Sequence, residues 1–126
     1  MPIYSDSNRE TIYWILELLP TIEEALQHMQ VQLDELRLEE SAVLFQDTAE
    51  AIGSIANCIL PLLTSADDQS LIQATTDMRE GIAMMIDAYE QQDLAAIQLA
   101  LVRRLLPAFS IWQQELGMRL RPSVLS

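Results

Sequence analysis

From Ile12 onward the apolar positions fall three and four apart: Ile12, Ile15, Leu19, Ile22, Leu26, Met29, Leu33 and Leu36. That spacing marks one face of an α-helix and predicts a first helix over about residues 8–36. Ser7 and Glu10 stand just ahead of it, spaced as a capping box that satisfies the first free amides. The phase runs through Pro20 without a reset. One continuous helix is therefore expected there, in preference to a break after which Thr21 and Glu24 cap a new one.

Three more stretches repeat the pattern. Phe45, Ala49, Ile52, Ala56, Ile59 and Leu63 predict a second helix over about 40–63, entered through a short acidic connection at Glu39 and Glu40. "TSADDQS" ends it, and Ser65 or Asp67 can cap a third helix over about 67–90, with Leu71, Thr75, Met78, Ile82, Met85 and Tyr89 on one face. The turn "EQQD" supplies Asp93 as the next N-cap. A fourth helix over about 94–116 presents Leu94, Ile97, Leu101, Leu105, Ala108, Trp112 and Leu116, with Gly117 as a stop and Pro122 barring continuation. Four helices with short connections form an antiparallel up-down bundle. The expectation is a single all-α domain covering residues 1–126.

Pro20, Pro61 and Pro107 fall inside these patterns, in "ELLPTI", "CILPLL" and "RLLPAF". At 100° per residue they lie about 130°, 160° and 130° from the centres of their apolar seams. A proline facing water frees a carbonyl that water can satisfy. The three are expected to bend their helices outward, as static curvature in preference to hinges.

The fourth helix carries more apolar surface than one corner of a bundle needs. Leu99, Val102, Leu106 and Phe109 make a second stripe and widen the apolar arc to about 200°, against a minimum near 100°. Trp14 and Leu18 lie off the seam of the first helix. These six residues are the expected contact surface for a protein partner, a second copy of the chain being the first candidate. A broad core is the alternative use of the same residues.

Composition narrows the class further. The chain has 126 residues, half of them apolar, and only three glycines, so it can bury a core without staples. Net charge is −12, from 19 acids against seven arginines and no lysine. Such a surface repels phosphate, and binding to nucleic acid or an anionic membrane is not expected. The longest uncharged run, Ala51 to Ala66, is too short and too polar to span a bilayer. "MPIYSDSNRE" lacks the basic and apolar regions of a leader, and a cytoplasmic protein is expected. Charge is uneven: residues 1–93 hold 18 acids and three arginines, whereas residues 94–126 hold one acid and four arginines. Arg103, Arg104, Arg119 and Arg121 form the basic zone, serving either acidic neighbours within the bundle or an acidic partner. The first use is preferred.

Catalytic chemistry finds little support. A di-iron bundle needs four carboxylates and usually paired Glu-x-x-His motifs, yet His28 is the only histidine and lies on the water side of its helix. No nucleophile elbow or glycine-rich phosphate loop is present. Cys58 is the one cysteine, which excludes an internal disulfide, and it has no basic neighbours in sequence, so a reactive thiol is not expected. Glu10, Glu17 and Glu24 read as a solvated flank. Met78, Met84 and Met85 read as core filling, with an adaptable binding surface as the alternative. Neither an enzyme nor a bound cofactor or metal is expected.

From Glu90 to Leu116 the chain resembles the last helix-turn-helix of an uncharacterised helical-bundle family common in Firmicutes. The features are the acidic turn "EQQD", the triplet Leu105-Leu106-Pro107, and Trp112 five residues beyond the proline. That family usually has glycine where this chain has Gln92, and an aromatic-acidic pair where it has Arg103-Arg104. The resemblance implies a helical fold and a bacterial source, and no activity. In build the chain is also similar to bacterial export chaperones of the flagellar kind, which hold a partner's helices. The resulting expectation is a non-enzymatic bundle acting through protein contacts, adaptor-like or chaperone-like. A small-ligand or metal-binding bundle is the alternative, and an acidic imitation of nucleic acid a third.

Overall fold

The computed structural model describes residues 6–125, with side chains described over 9–121. Helix α1 runs Asp6–Asp34 with Pro20 inside it. Every seam position from Ile12 to Leu33 is buried, and each such Leu or Ile contributes about 1.5–3 kcal/mol. The capping box assigned to Ser7 concerns a side chain outside the described residues. Leu36 departs from the seam, at 72% exposed. Its φ is +63°, and the amides of Leu36 and Arg37 bond back to the carbonyls of Leu33 and Gln32. This closure puts a left-handed residue just past the helix, a place usually taken by glycine. It turns Leu36 away from the core.

Helix α2, Leu38–Ile59, starts at once, so Glu39 and Glu40 lie in its first turn, where carboxylates complement the helix dipole. The α-helix stops at Ile59. Pro61 falls in a 3₁₀ turn, Leu60–Leu62, not inside a helix continuing to Leu63. At the start of such a turn the missing amide costs little. Ser65 then accepts from the Asp67 amide at 3.1 Å, and Asp68 accepts from the Ser65 amide at 3.1 Å. This capping box leads through a 3₁₀ turn, Ala66–Asp68, into α3, Gln69–Glu90. Gln92, with φ +54°, ends the next turn as Leu36 ended the first. Asp93 accepts from the Ala96 amide at 3.2 Å and caps the fourth helix.

That helix, α4, has three parts: Leu94–Ala100, a π turn Leu101–Leu105, and Leu106–Leu125. Two expectations change here. Gly117 does not stop it, because Leu120 continues the buried seam and no glycine adopts a positive φ among the described residues. The π turn also alters the face that is buried. Steps of four residues drift by about 40° each in an α-helix. A π turn holds an extra residue, so Ile97, Leu101, Leu105 and Phe109 stay on one side and are all buried. Ala108, expected in the seam, is only partly buried. The π turn ends two residues ahead of Pro107. Pro20, Pro61 and Pro107 are all exposed.

Helix α1 packs on α2 and α4, and α3 on α4. Side-chain bonds fix the directions. Tyr89 reaches Ser41 while Arg79 reaches Asn57. Trp112 reaches Thr75 while Arg104 reaches Glu80. Gln98 reaches Asp34 while Gln113 reaches Glu23. Numbers rise along one helix as they fall along its neighbour in each pairing. The described residues form an all-α four-helix bundle without strands.

Candidate functional site

Small residues seven apart on α3, namely Ala74, Gly81 and Ala88, are buried. They let α4 come close. A Cβ on Gly81 would sit 3.4 Å from the Leu105 Cα and 3.2 Å from its Cδ1. This stripe displaces Ile82 and Tyr89 to half-buried positions, although both belong to the helical seam by spacing alone. Around it the interior polar groups are bonded. The Trp112 indole N–H donates to the Thr75 hydroxyl at 3.0 Å, which donates to the Leu71 carbonyl at 2.8 Å. Arg119 Nε donates to Asp68 at 2.7 Å, and that carboxylate is 1% exposed.

Tyr89 stacks on Phe45 with ring centroids 5.3 Å apart and donates to the Ser41 hydroxyl at 2.9 Å. Burial pushes the Tyr89 phenol above its ordinary range, and the bond to Ser41 acts against that rise. These three constellations tie helix to helix. None pairs a nucleophile with a base.

No group of three or more His, Cys, Asp or Glu side chains converges among the described residues. His28 and Cys58 are exposed.

The surface between α3 and α4 has a different character. An open cavity of about 400 Å³ lies there. Ala88 and Ala100 are its floor, Met84 and Leu99 its walls, with Asp87 on one helix and Arg103 and Arg104 on the other. Met84 is 45% exposed and Leu99 52%. Further along the same two helices Ile111 is also exposed, beside Asp77 and Glu115. Arg104 is held by Glu80 at 3.2 Å.

The six expected contact residues do not share one surface. Leu99 stands in the α3–α4 valley and Val102 is exposed nearby on α4. Leu106 is partly buried against the core. Phe109 is 3% exposed and packs edge-on to Trp112, ring centroids 6.2 Å apart. It is a core residue, and the π turn is the reason. Leu18 lines a shallow groove between α1 and α2 with Thr21 and Leu44, and Trp14 precedes it by one turn at 43% exposed. That groove lies across the bundle from the α3–α4 valley, since α1 and α3 pack on opposite flanks of α4. Sequence reasoning missed Ala88, Ala100 and Asp87. The methionines divide: Met78 and Met85 are core, whereas Met84 faces out.

By length and composition alone α4, over Leu94–Arg121, could cross a bilayer, a property it shares with core helices of bundles. Residues 10–115 match the family described as Domain of unknown function (DUF8042). That match takes in all four helices, well beyond the C-terminal stretch that carried the resemblance. No curated protein and no solved structure matches the chain.

Proposed function

We propose that this chain, which belongs to the DUF8042 family, is a non-enzymatic helical bundle that works by protein–protein contact in the cytoplasm, as an adaptor or chaperone-like module. The observation that carries this reading is the α3–α4 valley. Met84 and Leu99 stand open to solvent over an alanine floor, whereas Trp112, Thr75, Asp68 and Tyr89 spend their polar groups on contacts inside the bundle. Exposed apolar surface organised between two helices marks a place where another chain packs. A bilayer role for α4 is not favoured, because Arg103 and Arg104 sit near its middle and each costs roughly 2.5–3.5 kcal/mol at a membrane centre.

Cross-linking in the native host, followed by capture of the tagged chain, tests this reading. A protein, itself or another, joined through Met84 or Leu99 is expected. Cross-links confined to other faces overturn it. A second reading, a small-ligand site, has one observation in its favour: about 400 Å³ is within the size range of ligand pockets. Native mass spectrometry of the freshly purified chain separates the two. An added small-molecule mass supports the second reading, and a bare chain mass removes it.

A further inference from the structure

We propose that the α3–α4 valley is covered by the same valley of a second copy, related by a two-fold axis, with Asp87 of each chain against Arg103 of the other. This rests on the protein-contact reading and deepens it.

Charge is the first argument. Arg103 makes no ion pair among the described residues, although its neighbour Arg104 is held by Glu80. Among the described residues the Asp87 carboxylate, on the facing helix, accepts only from the Gln91 side-chain amide, at 3.2 Å. The valley therefore carries one unmatched cation and one unmatched anion around an apolar centre. An acidic partner would meet Asp87 unfavourably, and a basic partner would meet Arg103. A surface bearing both signs is complementary to itself, as a two-fold interface requires.

Register is the second argument. Gly81 lies beside Leu105, and residue numbers run oppositely on α3 and α4, so Arg103 is level with position 83. Asp87 is then about 6 Å further along, with Met84 between the two levels. A two-fold axis passing there, perpendicular to the helices, exchanges those levels. It brings Asp87 of each chain level with Arg103 of the other on the opposite wall of the joined valleys, with only the valley's width for the long arginine side chain to cross, and Met84 and Leu99 close the apolar centre.

The net charge of −12 opposes self-association. Its reach is limited, because screening acts over about 8 Å at physiological salt. Four of the seven arginines also lie on α4, which makes this side the least acidic of the molecule.

Sedimentation equilibrium of the full chain is the test, with D87R, R103E and their equimolar mixture. The wild type is expected to dimerise. Each single variant faces like charges twice and should associate at least about tenfold more weakly. The mixture restores both pairs, Asp87 with Arg103 and the new Glu with the new Arg, so dimer returns. That rescue also shows that both variants fold. A monomeric wild type, a dimer indifferent to either change, or a mixture that stays monomeric overturns the proposal. A monomeric wild type that is still cross-linked through Met84 or Leu99 to another protein removes this inference and leaves the broader reading in place.

Discussion

Helices α1 and α4 are of similar length, and each contains a proline exposed to water. Their interiors were decided differently. In α1 the buried side follows unbroken α-helical spacing from Ile12 to Leu33, and Pro20 leaves the phase intact. In α4 the π turn at Leu101–Leu105 takes up an extra residue and rotates everything after it. Phe109 enters the core, Ala108 moves to its edge, and the stripe that looked like a contact surface is split. Spacing reveals a buried face only as far as the hydrogen-bond ladder keeps a single period.

The largest effect that can break this contrast is at Phe109. If the π turn places it in the core, Phe109→Ala lowers unfolding free energy by about 3–5 kcal/mol, measured by urea titration. Val102→Ala, on the exposed side, should change it by under about 0.5 kcal/mol. Equal small losses at both positions would return Phe109 to the surface.

Next comes the extension of α4 past Gly117, which has no counterpart in α1. Arg119→Ala takes the cation from the buried Asp68 carboxylate, leaving it the Ser65 amide, and should cost about 3 kcal/mol. A silent change there would mean that the extension is not anchored by this pair. The prolines sharpen the comparison from the other side. Pro20→Ala restores an amide within uninterrupted α-helix and should raise stability by about 2 kcal/mol, read as a shift of the urea midpoint.

The helix ends are smaller levers. Leu36 and Gln92 both hold positive φ, so Leu36→Gly and Gln92→Gly should each stabilise by about 1 kcal/mol. Glycine at position 92 is also what related chains were expected to carry, and the left-handed backbone there is the physical reason. The smallest effect is at Tyr89. Burial raises its phenol pKa in the folded chain, so the neutral phenol favours folding. That contribution is complete below the unfolded value near 10 and is lost as pH climbs above it. Tyr89→Phe should therefore lose less stability than the wild type above about pH 10.

Much of the frame was legible without coordinates. The all-α class, four helices, the α1 seam as far as Leu33 though not its last expected position Leu36, the Ser65 and Asp93 caps, and the outward prolines all follow from local rules: period, capping chemistry and the missing proline amide. The candidate surface was only half legible. Leu99 stood out as surplus apolar area, but Asp87, Ala88 and Ala100 carry no signal of their own. Alanine belongs equally to a core, a surface or a groove floor until a neighbouring helix is brought against it.

What the chain determined by itself is whatever depends on neighbours a few residues away: where helices start, how their ends are capped, and the unbroken period of α1. Tertiary structure decided the rest. The close approach of α4 to Gly81, the π turn beside it and the burial of Phe109 arise together from packing two helices against each other. No residue encodes that fit alone, because its energy comes from contacts between segments about 25 positions apart, whose register is settled only when the core closes.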